Sequence, residues 1–549
     1  MTDGPSPSRF TESALAVERA RRTRRARMLA GLAGLLALAL CAGGWMVWAA
    51  GDDGSDAQDA KAVQQAPDEI RDTVETIPDS PAGSLVVDYR EKQFDERFGR
   101  DATVAAPGTW ATDKTFVRGV GRTLKGFTYG KFDEAWTTDL GGPICDTTRH
   151  VTADGRTAVL VQERPEKSEK PKEPEKSKKG DKGDKDKKDR KSKGKDKDKD
   201  KGKKRKGGKG GKDGKDGKDK GKKDKPSRPA PPAPETCEKL VFVDLDTGKK
   251  LWEAKLPDAK AAFAPNTNVT MTRGTVAVAW GQGSMGYDMA SGKRLWGNAR
   301  PSACGDAGFA GGRALLALRR CERGDDHTYR IQKVDPRTGE PQWTYKVSPG
   351  IQNVNLVSAE PAVIAVAAGD SGATDLITLD DRGAYQATID LPKGRYEDDC
   401  FRMLYGTVET CDAIAVGRDQ LFLATKAEGL EANWIVSFDL ATGKTVRKFD
   451  SKGRAAMYPV RVSGDRLLAF RGSIDGVAPD AVVSLDPKTG KETPFMLFSV
   501  PDDAGIVEPG EADVVVERGR VFVAPRELSA EDSGPWKGAA FGAVGVEGS

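Results

Sequence analysis

The chain has 549 residues, with 88 Lys/Arg, 83 Asp/Glu, two histidines and seven cysteines. Two histidines leave little basis for an imidazole base or a polyhistidine metal site. The formal net charge of +5 misleads: residues 166–236 hold 30 Lys/Arg against 16 Asp/Glu and no aromatic residue, so the remainder is near −9. This is an acidic protein carrying a basic segment.

Arg19, Arg21, Arg22, Arg24, Arg25 and Arg27 precede an uncharged apolar run over residues 28–50. Its 23 residues are enough for a helix to cross a bilayer, which needs about 20. Trp45 and Trp48 suit the interface at its far end, and the arginines favour a cytoplasmic tail over residues 1–27. We expect a single-pass transmembrane helix at 28–50, with everything beyond it extracytoplasmic. A cleavable signal peptide ending near Ala49-Ala50 is the alternative, but its apolar region would ordinarily be about 7–15 residues. Cys41 follows the bulky Leu40 and the apolar run continues to Trp48, so it reads as a membrane-helix residue and not a lipidation site. Residues 51–108 read as a polar stalk, with a short helix possible at 68–75, followed by a closing strand.

Six cysteines follow the apolar run: Cys145, Cys237, Cys304, Cys321, Cys400 and Cys411. In an oxidising compartment an even number suggests disulfides, and chain order suggests Cys145–Cys237, Cys304–Cys321 and Cys400–Cys411, although about 15 connectivities are possible. Gly311-Gly312 sits near the middle of the second pair, before the apolar run 314–318, as expected for two strands joined across a hairpin. No Cys-x-x-Cys occurs, which argues against a redox or zinc role.

A short pattern then recurs: a β-rich run, Asp-x-x-Thr/Ser-Gly, and a stretch ending in Trp. It is complete at Asp244, Thr247, Gly248 and Trp252; at Asp288, Ser291, Gly292 and Trp296; and at Asp335, Thr338, Gly339 and Trp343. The copy at 380–383 is one residue short and has Ala387 at the tryptophan place. Asp439/Thr442/Gly443 ends in Arg447, Asp486/Thr489/Gly490 ends in Pro494, and an earlier degenerate copy ends in Trp136. Glycine supplies the positive φ of a tight turn, Asp and Thr bond its backbone, and the tryptophan can pack on a neighbouring blade.

From Trp252 onward the end positions are 44, 47, 44, 60 and 47 residues apart. The gap from Trp136 to Trp252 is 116, and removing the 72 residues 165–236 leaves 44, which marks the Lys-rich segment as a loop inserted in one repeat. A period of about 45 residues with several short strands per unit points to a β-propeller. Strand-like runs at 513–516, 520–524 and 539–546 end the chain, and 84–89 supplies a fourth strand by closing the ring. The expected fold is all-β: an eight-bladed propeller over residues 109–549. Seven blades is the alternative, if the Trp136 strand belongs to the closing blade.

The pattern resembles the pyrroloquinoline quinone-type repeat, with its Asp-x-x-Thr-Gly-x-x-x-Trp docking motif, over roughly residues 110–549 apart from the charged loop. Quinoprotein dehydrogenases carry such repeats, as do cofactor-free propellers such as the lipoprotein of the outer-membrane β-barrel assembly machinery. The membrane-anchored, cysteine-stapled propellers of this type look most similar. The resemblance to quinoprotein enzymes implies a vicinal cysteine pair and long blade insertions that build the quinone and calcium sites. This chain has no Cys-Cys, and most of its repeats are too short for such insertions.

Other motifs lack their structural context. Gly281, Gly283 and Gly286 form Gly-x-Gly-x-x-Gly, but the repeat turn follows where a dinucleotide site needs a helix. Asp196, Asp198 and Asp200 alternate as in a calcium loop, yet Lys201 and Gly207 stand at the places of its glycine and closing glutamate. His150 and His327 lie in polar, turn-like sequence. We therefore expect no catalytic, cofactor-binding or metal-ligating residue and no cofactor. The Lys-rich loop cannot bury enough apolar surface to fold. Its charge suits anionic polymers or lipid headgroups, but it lacks aromatics for stacking bases, so no nucleic acid is expected. The sequence reads as a non-enzymatic, membrane-anchored platform for a protein partner in the envelope. A quinone-dependent oxidoreductase and a ligand-sensing propeller working with a partner are the alternatives.

Overall fold

In the computed structural model the described residues are 65–548, apart from 132, 164–235, 260–261, 263–265, 282, 299–302, 324–325, 370–371, 398–399, 401–410, 412, 428–431, 452–454, 474–477, 501–510 and 533. The expected tail at 1–27 and membrane helix at 28–50 lie outside them, as does nearly all of the Lys-rich loop. Among the described residues no helix is long and apolar enough to cross a membrane.

The short strands assemble into eight four-stranded antiparallel sheets, the blades of a propeller. Seven are built from consecutive strands: 109–139, 144–255, 267–298, 304–346, 353–390, 414–450 and 457–498, which we number first to seventh. The eighth takes Ala512–Glu517, Arg520–Pro525 and Ala540–Gly548 from the end of the chain and Gly83–Glu91 from its beginning. That early strand pairs from Gly83↔Gly548 to Glu91↔Ala540 and closes the ring. Trp136 lies on Glu134–Asp139, the outer strand of its own blade, so the count is eight.

Each blade is sandwiched between two neighbours, which changes the burial pattern of its inner strands. Thr275–Trp280 and Ala362–Ala367 are buried at every position, because both faces of the strand are covered. An outer strand such as Pro341–Lys346 keeps mostly exposed positions. Fully burying a Val, Leu or Ile side chain contributes about 2 kcal/mol, and these inner strands supply most of the core.

The Lys-rich segment leaves from the second blade between Arg156–Val161 and Lys239–Asp244. These strands pair from Arg156↔Asp244 to Val161↔Lys239, so the segment occupies a hairpin tip.

One expectation is corrected. Residues 68–75 form no helix, and residues 65–82 are an extended strap lying against the propeller where a free stalk was expected. The α-helix among the described residues is the short Phe94–Phe98.

Candidate functional site

Strand direction gives the ring two unlike faces. In each blade the turns joining the first strand to the second and the third to the fourth lie on one side, the turn face. The turns joining second to third, and one blade to the next, lie on the other, the loop face.

The repeat motif builds the turn face. Asp244 Oδ1 accepts from Thr247 N at 2.9 Å and Thr247 Oγ1 at 2.8 Å, and Asp288 Oδ1 accepts from Ser291 N at 2.9 Å and Ser291 Oγ at 2.7 Å. Asp335 Oδ1 accepts from Thr338 N at 3.0 Å. Gly248, Gly292 and Gly339 follow with φ of 70°, 66° and 75°, a region costly for any residue with a Cβ.

Each tryptophan then docks on the turn of the next blade. Trp252 Nε1 donates to Met289 O at 2.9 Å and Trp296 Nε1 to Pro336 O at 2.8 Å; each acceptor follows the Asp of the neighbouring turn. The indole also covers that turn's glycine: a Cβ on Gly292 would come within 2.7 Å of Trp252, and one on Gly339 within 2.8 Å of Trp296. Trp343 covers Gly383 in the same way, but that turn is the one a residue short, and Trp343 Nε1 finds no acceptor among the described residues.

Arg447 makes the same contact by other chemistry. Its Nε donates to Pro487 O at 2.9 Å and its Nη2 to Lys488 O at 2.7 Å, beside Gly490. Pro487 holds the place that Met289 and Pro336 hold in their turns. A planar cation with two parallel donors thus replaces the indole, and the signal for it was the Arg standing at the tryptophan place.

Across the inner turns runs the strap, which sequence reasoning missed. Ile70 bridges to Thr152, Arg71 N donates to Val151 O at 2.8 Å, and Gly274 N donates to Asp68 O at 3.4 Å, tying it to the second and third blades. Arg71 Nη1 pairs with Asp113 of the first blade at 3.1 Å and Glu517 of the eighth at 3.4 Å. The adjacent Asp72 pairs with Arg313 of the fourth blade. Neighbouring residues that reach opposite sides of the ring must lie close to its axis. Glu75 then meets Arg461 Nη2 of the seventh blade at 2.7 Å and the backbone N–H groups of Arg518 and Gly519 at 2.8 and 2.7 Å.

The seam between the eighth and first blades combines aromatic packing, with Phe116 stacked on Phe522 at 4.8 Å and Tyr89 4.6 Å from Phe127, with buried charge. Glu91, nearly buried, pairs with Lys125 Nζ at 2.8 Å and Arg97 Nη1 at 2.7 Å, and accepts from Tyr89 Oη. Burial alone would raise its carboxyl, but the hydrogen bonds from Lys125 and Tyr89 and the nearby cations outweigh this and hold it below the usual range. Arg118 is fully buried; desolvation pushes it down to about 10 against the opposing pull of Asp513, 3.5 Å away. Asp513 also accepts from Arg526 Nε at 2.8 Å and Thr109 Oγ1 at 2.7 Å.

The loop face carries all three disulfides, Cys145–Cys237, Cys304–Cys321 and Cys400–Cys411. Cys304 and Cys321 face each other across the first two strands of the fourth blade. The third bridge lies in the connection from the fifth blade to the sixth, within the longest repeat spacing. Both described ends of the Lys-rich insertion, Glu163 and Thr236, are on this face.

Among the described residues no two of the sequence's candidate side chains meet in a reacting arrangement. His327 Nε2 contacts Gln352 O at 3.0 Å, whereas His150 belongs to an inner turn of the second blade, on the other face. Gly281–Gly286 forms a hairpin, with Trp280 N donating to Gly283 O at 2.9 Å before the strand Ser284–Asp288. Among the described residues no group of three His, Cys, Asp or Glu is placed to hold a metal ion. The six cysteines beyond residue 50 form three disulfides, none of them between adjacent residues of the chain.

Residues 237–492 match the family model described as outer membrane protein assembly factor BamB. No curated protein matches the chain significantly. Among solved structures, BamB from Moraxella catarrhalis is similar at 12% identity over 81% of this chain and 98% of that one, with a TM-score of 0.39. A europium-containing methanol dehydrogenase is similar at 12% identity over 86% and 95%, with a TM-score of 0.41. A quinohemoprotein alcohol dehydrogenase from Pseudomonas putida HK5 is similar at 10% identity over 86% and 78%, also at 0.41.

Proposed function

We propose, for a propeller of the BamB-like, pyrroloquinoline quinone-type repeat class, that this chain is a non-enzymatic platform anchored by residues 28–50 with its propeller outside the membrane, where it holds a protein partner. One observation carries the reading. The polar groups of the turn face and the seam bond one another and fix a rigid ring, while the loop face offers stapled connections on that scaffold. Rigid propellers commonly place binding residues on such loops. The Lys-rich insertion, leaving from the same face, adds a salt-sensitive attraction for anionic polymers or lipids.

The test is in-cell cross-linking of the full chain beside a variant lacking 165–234, read by mass spectrometry. The same partner in both supports recognition by the propeller. Loss of every partner on deletion moves recognition to the insertion. A quinone-dependent oxidoreductase is the second reading, favoured by the repeat class alone. Pyrroloquinoline quinone with calcium should leave the absorbance and melting temperature unchanged; a saturable shift in either would support the enzyme instead.

A further inference from the structure

We infer that the strap fixes how the propeller faces the bilayer: turn face towards it, and the disulfide-stapled loop face away from it, offered to an extracytoplasmic protein. The inference rests on the reading of residues 28–50 as a membrane span.

The strap starts over the inner turn of the second blade, where Ala153 N donates to Glu69 O at 2.8 Å and Arg71 Nη2 to Ala153 O at 3.1 Å. It is clamped on both sides of the axis, by Arg313 through Asp72 and by Arg461, Arg518 and Gly519 through Glu75. It cannot slide without breaking contacts to several blades. Between Ala50 and Gln65 lie 14 residues. Such a chain spans about 50 Å fully extended and about 20 Å as a relaxed coil.

Turning the loop face to the bilayer would require that chain to run outward over four strands, roughly 20 Å at the usual strand spacing with side chains. It would then have to descend past six-residue strands and their turns, roughly 30 Å more. That route uses the whole extended length and nearly all of the chain's conformational freedom. With the turn face towards the bilayer, the relaxed length is enough. The span, the strap and the closing strand Gly83–Glu91 are consecutive, and the first described residues of that path, from Gln65, meet the fold on the turn face.

The test uses the full chain in liposomes doped with acceptor-labelled lipid. A donor fluorophore is introduced as a noncanonical residue at Lys114, on an inner turn of the turn face, or at Lys255, which ends an outer strand at the loop face. Both side chains are exposed, at 74% and 63%. Energy transfer to the membrane should be clearly stronger from position 114. Equal or reversed transfer would overturn the inference. Failure of the chain to co-sediment with liposomes would instead sink the membrane-span reading. In a variant whose residues 65–75 are replaced by a Gly/Ser segment of the same length, which removes Arg71, Asp72 and Glu75 together, the released strap lengthens the tether, and the difference between the two positions should shrink while the circular dichroism spectrum stays native. An undiminished difference in that folded variant would show that the strap does not set the orientation.

Discussion

At the residue scale the informative positions are those where the repeat departs from its own pattern. Arg447 stands where tryptophan stands in the complete copies, yet donates to the same backbone position of the next turn. Arg447→Ala leaves the carbonyls of Pro487 and Lys488 without their charged donor, and we expect a loss of about 1–2 kcal/mol in urea denaturation. Trp296→Ala, which removes area as well as a hydrogen bond, should cost more, about 3 kcal/mol. An Arg447→Ala variant as stable as wild type would mean that the sixth and seventh blades are held together elsewhere.

Glu91 makes a pH prediction with a definite sign. Its carboxyl is held below the ordinary range in the folded state, so its stabilisation is complete above the unfolded pKa of about 4.3 and is lost as pH falls through the folded value. Glu91→Gln should lower the melting temperature at pH 7, and the gap from wild type should close as the pH drops below about 4. A gap that stays constant would assign the effect to packing. Tyr89 and Lys125 are the partners whose contacts such a substitution disturbs.

At the element scale the inserted segment and its staple act together. The paired strands Arg156–Val161 and Lys239–Asp244 need only a short turn between them. Replacing 165–234 with a few turn residues should preserve the fold and raise stability modestly, because each halving of a loop recovers about 0.6 kcal/mol of closure entropy. The Cys145–Cys237 bridge spans 92 residues of sequence, for which loop closure predicts about 4.7 kcal/mol. In the shortened chain, with a loop of roughly 25 residues, that falls to about 3.5 kcal/mol. The melting temperature of the deletion variant should therefore be less sensitive to reductant than that of wild type. Equal sensitivity would assign the reductant effect to the other two bridges.

At the scale of the whole molecule, ring closure depends on a strand from the opposite end of the chain. Gly83–Glu91 covers the edge of Ala540–Gly548 and contributes Val87 and Tyr89 to the core. A chain beginning at residue 65 should be monomeric with a native near-ultraviolet spectrum, whereas one beginning at residue 92 should aggregate or lose fixed tertiary packing. A native spectrum from the shorter chain would make the eighth blade complete with three strands. The seam beside that strand adds the buried charges Glu91, Arg118 and Asp513 to the aromatic packing of Phe116 on Phe522 and Tyr89 on Phe127, whereas the third and fourth blades meet at Trp296 and a glycine. Discontinuous closure therefore comes with charged contacts beside aromatic ones.

Much of this was legible before any coordinates. The turn glycines, the spacing near 45 residues and the recovery of 44 once the basic loop is removed carry the propeller, because a tight turn and a docking residue are local requirements that recur in every blade. The disulfide pairs follow for a related reason: residues close in such a chain lie within one blade or in neighbouring ones. The strap was not legible. Residues 68–75 carry a composition compatible with a helix, and their extended course comes from Thr152, Gly274, Arg313, Arg461 and Glu517, which lie on different blades. Nor did the sequence distinguish the two faces. That difference depends on strand direction summed around the ring, and on a segment whose partners are up to 446 residues away. Contacts of that range leave no periodic trace; they exist only once the ring has closed.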